Sequence, residues 1–221
     1  MTGRGKPYCL GLVKRWFDVC VSVAALVVLA PLLLGVAFLV LVASGTPIFF
    51  VQARVGRGGQ AFRLVKFRTM RRDAARGLPI TGAGDRRVTG IGRILRATKM
   101  DELPQFVNVL WGSMSVVGPR PEVDRFVALY DERQRGVLMV RPGLTDSASV
   151  LFRDEESLLG AIDPAQREAY YITEILPRKL EMNLEYMRQA GFGYDLSLIF
   201  KTVAAIVLPR SSTAKPFRHT E

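Results

Sequence analysis

The chain has 221 residues, a formal net charge of +11 and a pI near 10.2, which leaves room for a membrane anchor plus one modest domain. A balance so basic points to anionic partners: nucleic acid, acidic lipid headgroups or phosphorylated small molecules. Two cysteines (Cys9, Cys20) and one histidine (His219) argue against a disulfide framework, a zinc site and a histidine base, leaving proton chemistry to carboxylates or, less often, lysine, tyrosine or cysteine.

Residues 19–43 carry no charged side chain. About 20 helical residues cross a hydrocarbon core, so the run is long enough to span. It exceeds the roughly 7–15 apolar residues of a secretory signal and reads as a retained segment, with a small-residue site near Ser44 as the cleaved-signal alternative. Pro31, at its midpoint, deletes a backbone hydrogen bond and clashes with the preceding turn. In a membrane the freed groups need partners. Arg4, Lys6, Lys14 and Arg15 precede the run; Arg54, Arg57, Arg63, Lys66, Arg68, Arg71 and Arg72 follow it, with no acidic residue before Asp73. Basic residues favour the cytoplasmic side, and both flanks qualify. A helix that bends at Pro31 and leaves through the leaflet it entered satisfies both. A single kinked span with one flank translocated is the alternative.

Beyond the run the pattern turns β-like. Ile48, Phe49, Phe50 and Val51, then Phe62, Leu64 and Val65, with Gly56, Gly58 and Gly59 between, predict a small hairpin. Residues 72–90 read as loop and 91–98 as a short helix. Leu103, Phe106, Val107 and Leu110 fall at helical spacing. Pro119 and Pro121 hold Arg120 in a rigid extended stretch, and 122–135 reads helical. Asp163-Pro164 is a cap followed by a first-turn proline. Pro177 ends that helix and opens another, whose Leu180, Leu184 and Met187 share a face before Gly191 stops it. Residues 196–208, apolar except for Lys201, fit an interfacial or buried helix. No internal repeat is present.

The densest chemical signal is Arg96-Ala97-Thr98-Lys99-Met100-Asp101-Glu102-Leu103-Pro104-Gln105. Capping alone explains an aspartate, a glutamate and a proline at a helix start. A functional reading adds more. Free N–H groups at a helix start attract phosphate, and arginine offers the same oxygens a two-pronged fork. A carboxylate placed there can attack phosphorus once arginines or magnesium cancel the repulsion. Lys66-Phe67-Arg68-Thr69-Met70 is a second basic cluster, equally readable as a solvated edge strand or a headgroup patch. Gly118-Pro119-Arg120-Pro121-Glu122 suits a phosphate clamp or a plain rigid loop. Arg141-Pro142-Gly143-Leu144-Thr145 follows similar logic, with ordinary turn chemistry as the rival.

Taken in order, these motifs resemble the bacterial sugar transferase family, small monotopic phosphoglycosyl transferases that begin glycan assembly on polyprenyl phosphate. The resemblance is carried by Lys14-Arg15-Trp16-Phe17-Asp18, Gln52-Ala53-Arg54-Val55-Gly56, the Lys66, Asp101 and Arg141 clusters, and Val117-Gly118-Pro119-Arg120-Pro121-Glu122. It covers residues 14–208. Each motif alone is weak; in sequence, behind a proline-broken apolar helix, they are specific.

The resemblance implies a helix-dominated α+β fold. A basic arm (1–13) precedes a re-entrant membrane helix (14–45) broken at Pro31. A compact cytoplasmic-face catalytic domain (46–209) with a small β-hairpin and interfacial helices follows, then a disordered tail (210–221). It implies transfer of a sugar-1-phosphate from a UDP-sugar to polyprenyl phosphate at the bacterial inner membrane, initiating exopolysaccharide or lipopolysaccharide glycans. Asp101 would attack the β-phosphate with Mg2+ bound near it, and Glu102 would be its acid/base partner. Arg96 and Arg120 would hold phosphate, with Lys66, Arg68, Gln105 and Arg141 as further substrate-binding positions. The expected partners are the UDP-sugar, the lipid phosphate and the bilayer, without nucleic acid; a homo-oligomer stays open. Two departures stand out. Ala30 replaces a serine common before the helix-breaking proline. Asp146 replaces a glycine, where a carboxylate would alter sugar contacts or start a different loop. The rival readings are a tethered basic domain that binds acidic lipid or nucleic acid, and a metal-pair phosphotransferase. The single apolar run argues against the latter.

Overall fold

The computed structural model describes residues 5–72, 74 and 80–208. Asp73, the arm before Gly5 and the tail from 210 onward lie outside the described residues. The fold is helix-dominated α+β with two small two-stranded sheets. After α1 (Gly5–Leu10), the apolar run forms α2 (Leu12–Val28) and α3 (Ala30–Ser44), bent by 63° at Leu29. The Leu29 N–H still donates to Ala25 O, and Leu33 N to Leu29 O, both at 2.8 Å. Pro31 therefore falls in the first turn of a new helix, where a missing N–H removes no internal bond. No single described helix is long and apolar enough to cross a membrane; the bent pair passes that test only jointly. Val13, Val23, Val27, Leu34, Phe38 and Val42 stand exposed along it. So much bare apolar surface on one element marks a face covered by something other than water.

Both feet of the bent pair stand on the same domain. On α2, Lys14, Asp18 and Ser22, one turn apart, are all buried. Lys14 Nζ lies 3.1 Å from Asp18 Oδ1 and 2.7 Å from Asp195 Oδ2, in the first turn of α11 (Phe192–Val207). Tyr8 and Tyr186 donate to Asp195 at 3.0 and 2.7 Å. Ser115 Oγ and Val116 N donate to Asp18 Oδ1, each at 3.0 Å. At the other foot, Val36 and Val40 pack with Phe67 and Leu95. There the buried Arg68 donates to the carbonyls of Ser44 and Gly45, satisfying the end of α3.

The predicted hairpin forms from β1 (Phe49–Val55) and β2 (Ala61–Phe67), antiparallel with Val51 opposite Val65. α4 (Gly90–Ala97) is capped by Thr89, whose Oγ1 accepts from Gly92 N at 3.0 Å while its own N–H donates to Thr69 O at 2.9 Å. A Cβ added to Gly92 would sit 2.1 Å from Thr69 O, so only glycine lets α4 lie this close to the chain leaving β2. α5 (Gln105–Trp111) follows, then β3 (Ser115–Val117), which pairs in parallel with β4 (Gly143–Thr145), a sheet the pattern did not foreshadow.

Residues 122–135 do not form one helix. α6 (Asp124–Val127) stops, and the chain restarts in a 3-10 turn, Gln134–Met139. The reason is a reciprocal cap: Gln134 N donates to Asp131 Oδ1 at 2.6 Å, and Asp131 N to Gln134 Oε1 at 3.0 Å. α7 (Ser147–Leu151), α8 (Glu155–Gly160) and α9 (Arg167–Tyr170) follow. Pro177 does not divide two helices. A wider π turn, Tyr171–Ile175, carries the helix from α9 into α10 (Leu176–Gln189), placing Pro177 in a first turn where it breaks nothing. Leu180, Leu184 and Met187 are buried together as their spacing predicts, while α11 leaves Phe192, Phe200, Val203 and Val207 exposed.

Candidate active site

Between α4 and α5 the chain makes a tight 3-10 turn, Met100–Glu102, entered through Lys99 in the left-handed conformation (φ 57, ψ 14). That geometry is uncommon for a residue with a Cβ and recurs at functional turns. The expected cap is not made. α5 starts after Pro104 with no side-chain cap, and the two carboxylates lie in the turn ahead of it. They meet opposite treatment there.

Glu102 is gripped by Arg120, with Nη2 2.6 Å from Oε1 and Nη1 3.4 Å from Oε2. Burial opposes its charge, but the Arg120 guanidinium, helped by Lys99 and Lys66, prevails and holds the carboxyl down at about 2. Asp101 is only 5% exposed and makes no hydrogen bond or ion pair among the described residues. Burial first, and then the neighbouring Glu102 charge, push its carboxyl up to about 6 against the pull of Lys66, Arg96 and Lys99.

Lys66 extends from β2, its ammonium pulled below the ordinary lysine range by burial and supported by Asp101 and Glu102. Arg96, in the last turn of α4, donates from Nη2 to Glu156 Oε1 at 2.6 Å, while its Nη1 is sealed from solvent with no acceptor among the described residues. Asp101, Glu102, Lys66, Arg96 and Arg120 thus form one charge cluster, with Gln105 buried in the adjoining first turn of α5. The other two predicted binding residues stand apart from it. Arg68 commits its Nη2 to the end of α3, while its Nε and Nη1 are buried without an acceptor among the described residues. Arg141 Nε donates to Gly112 O at 2.9 Å beyond the opposite end of α5, where Arg15 donates to Val109 O and Leu110 O at 2.6 and 2.7 Å. Asp146 caps α7, accepting from Ala148 N at 2.7 Å and Ser149 N at 2.9 Å, so its carboxylate starts a different loop.

Two of the residues that hold the cluster, Asn108 and Tyr171, fall in none of the motifs. Asn108, 1% exposed, accepts from Val65 N at 3.0 Å and donates to Arg63 O at 2.7 Å, fastening α5 to β2 beside Lys66. Its signal was a polar amide within an apolar helix face, which needs buried partners. Arg54 donates to Pro121 O at 3.1 Å and pairs with Glu122 at 3.4 Å, while Tyr171 OH donates to Glu122 Oε1 at 2.6 Å. These contacts pin the Pro-Arg-Pro stretch. So does the crossing of Gly118 and Gly143, where a Cβ on Gly143 would lie 2.2 Å from Gly118 N.

No group of three or more His, Cys, Asp or Glu side chains converges among the described residues. That is compatible with magnesium, which commonly takes one or two carboxylates and completes its shell with water and substrate phosphate. Asp101 has uncommitted oxygens; Glu102 has both of its oxygens on Arg120.

A carboxylate unpaired among the described residues, set among cations near the foot of a bent apolar helix pair, is an arrangement suited to an anionic substrate. The chain belongs to the bacterial sugar transferase family, whose model matches residues 10–209. It is 34% identical over 218 residues to the exopolysaccharide production protein ExoY of Sinorhizobium fredii, covering 91% of this chain and 88% of that protein. It is 35% identical to the UDP-N-acetylgalactosamine-undecaprenyl-phosphate N-acetylgalactosaminephosphotransferase of Aeromonas hydrophila, over 88% of this chain but 44% of that longer protein. It is 34% identical to the UDP-glucose:undecaprenyl-phosphate glucose-1-phosphate transferase of Caulobacter vibrioides, over 88% of this chain and 69% of that protein. The chain therefore spans most of some relatives and less than half of others.

Proposed function

We propose that this chain transfers a sugar-1-phosphate from a UDP-sugar to a membrane polyprenyl phosphate, opening the assembly of an exopolysaccharide or related glycan. The supporting observation is Asp101: nearly buried, unpaired and held toward neutrality, next to a glutamate kept fully ionised. In this reading a carboxylate oxygen of Asp101 attacks the β-phosphorus. The bond from that phosphorus to the bridging oxygen breaks, and UMP leaves with the electron pair. An oxygen of the lipid phosphate then attacks the same phosphorus and releases Asp101. One phosphoanhydride is exchanged for another, so the protein mainly positions charge. Lys66 and Arg96 offset the repulsion between carboxylate and diphosphate. Glu102, held at about 2, is a weak base; its part is to anchor Arg120 at the site, leaving the remaining N–H groups of that guanidinium for phosphate.

Magnesium is the proposed cofactor, with Asp101 as the residue that would hold it. Bound there, the ion would neutralise diphosphate charge. Residues 46–209 form the proposed catalytic domain, lying on the cytoplasmic face because both flanks of the apolar pair are basic.

The shape of the pair favours re-entry. At 1.5 Å per residue the two helices measure about 25 and 22 Å, so a 63° bend lifts the apex only about 12 Å off the line joining their ends. That is less than half of a roughly 30 Å hydrocarbon core, and both ends return to one domain. Exposed Trp16 and Trp111, with the apolar face of α11, would lie at headgroup depth. Single thiols introduced at the N-terminus and after Arg54 should both be labelled from the cytoplasmic side; periplasmic labelling of either would establish a span instead.

The deciding experiment follows UMP release from a panel of UDP-sugars with a short-chain polyprenyl phosphate, with Mg2+ and with chelator. Release that needs both acceptor and metal is the expected result. Salt-sensitive nucleic-acid binding without any nucleotide turnover would replace the transferase reading with a tethered basic domain.

A further inference from the structure

We propose that Glu156 is a positioning residue for donor binding: it holds Arg96 by one side of its guanidinium so that the other side meets the phosphate oxygens of the sugar nucleotide. This rests on the reading that the site takes a diphosphate donor. The central observation is the divided state of Arg96. Its Nη2 lies 2.6 Å from Glu156 Oε1, while Nη1 is shut away from solvent and has no acceptor among the described residues. A sealed donor without an acceptor is disfavoured unless something else fills the place. In a site built for a diphosphate, an anionic oxygen is the matching group.

Glu156 is badly placed for a merely stabilising role. Its side chain is 44% exposed, and pairs that open to water contribute little to the fold. Its backbone, in contrast, is held firmly. Glu156 O accepts from Ala83 N at 2.7 Å, and Gly160, at the end of the same short helix, packs so closely on Ala83 that an added Cβ would lie 2.8 Å from the Ala83 nitrogen. The preceding carboxylate, Glu155, is taken by Lys179. The glutamate is thus a fixed arm reaching from α8 to α4. A guanidinium is planar and rigid, so fixing one nitrogen fixes the direction of the others. An arginine oriented in advance has less freedom to lose when it grips phosphate. The same arginine lies near enough to Asp101 to favour that carboxylate's charged form, which sets the oriented face beside the reacting group. Glu156 falls in none of the sequence motifs, and its segment follows Asp146, where the chain leaves the family pattern.

The test measures donor KM and kcat for wild type, Glu156→Ala, Glu156→Gln, Arg96→Gln and the Glu156→Ala/Arg96→Gln pair. Glu156→Ala should raise donor KM about ten-fold with kcat within about two-fold. Glu156→Gln, whose amide oxygen still accepts from Nη2, should recover much of that loss. In the Arg96→Gln background, Glu156→Ala should add nothing, because its effect runs through the arginine. An unchanged KM in Glu156→Ala, or a double variant showing the full product of both losses, would overturn the proposal. So would a drop in melting temperature large enough to explain the lost activity. If wild type releases no UMP from any donor, the transferase reading fails first and takes this inference with it; an active wild type with an indifferent Glu156 refutes the inference alone.

Discussion

Two charge clusters, each with cations set around a pair of carboxylates, have opposite characters. At the foot of α2, Lys14 sits between Asp18 and Asp195, and three of their four carboxylate oxygens have a donor at 3.1 Å or closer. In the turn after α4, Lys66, Arg96 and Arg120 surround Asp101 and Glu102, yet Glu102 takes the Arg120 fork and Asp101 has no hydrogen bond or ion pair among the described residues. The first cluster is close to complete and fastens the apolar pair to the domain. The second is incomplete, and leaves Asp101 open to a substrate or an ion. Full satisfaction favours rigidity, whereas a buried group left wanting is a reservoir of reactivity at some expense of stability.

The sharpest way to break that contrast is Asp101→Asn. The substitution removes the carboxylate proposed to attack phosphorus and also a charge that burial disfavours. Turnover is expected to fall at least about a thousand-fold, while the melting temperature rises at neutral pH. The sign follows from the raised carboxyl. Held at about 6 in the fold, against about 3.9 in an unfolded chain, Asp101 favours folding when protonated. That contribution is complete below pH ~4 and is lost as pH climbs through about 6, the same interval in which the carboxylate proposed as nucleophile ionises. Wild-type stability attributable to Asp101 and catalytic rate should therefore run in opposite directions there. Glu102, held at about 2, has the reverse sign, and its window lies lower, as pH falls from about 4.5 toward 2. Melting curves from pH 2 to 8 read both windows, and UMP release from pH 5 to 8 reads the catalytic arm of the first. A variant that melts below wild type at pH 8, or turns over normally, removes Asp101 from its assigned place.

Lys14→Met attacks the complete cluster. It leaves Asp18 and Asp195 facing each other without a cation, which is expected to remove about 3–5 kcal/mol of stability. Adding Asp195→Asn should restore a good part of it, because the repulsion then ends. Activity per folded molecule should stay close to wild type in both variants, measured by UMP release normalised to the folded fraction. If Lys14→Met instead spares the melting temperature and lowers kcat, the two clusters have exchanged roles.

How far the sequence foretold this contrast depends on the range over which each signal acts. The apolar run, the hairpin and the Leu180, Leu184 and Met187 face were legible because their periodicity is local. The reactive turn was legible as an acidic pair near arginines, but whether Asp101 caps a helix depends on Lys99 turning left-handed, which no pattern announces. Arg68 and Arg141 are offered as substrate-binding positions by the motifs that contain them; in the fold one nitrogen of each is bonded to backbone carbonyls away from the cluster. The parallel pairing of β3 with β4 joins two three-residue strands far apart in the chain, too short for alternation to register. The restart at Asp131 was readable in principle, since Asp131 and Gln134 stand at capping-box spacing, but helical propensity across 122–135 masked it.

The smallest expected effect separates two aspartates of nearly equal burial. Asp146 is 2% exposed and Asp101 5%, so burial does not tell them apart. Their partners do. Asp146 Oδ1 accepts two backbone N–H groups, and Oδ2 accepts the Ser149 hydroxyl, leaving no oxygen turned toward a sugar. Asp146→Ala should thus lose about 1 kcal/mol as a helix cap and leave the ranking of UDP-sugar donors unchanged. A donor panel run alongside a thermal melt distinguishes the outcomes. A shifted donor preference at unchanged stability would bring Asp146 into the substrate site, and with it would fall the rule that a carboxylate with every oxygen spoken for serves the fold.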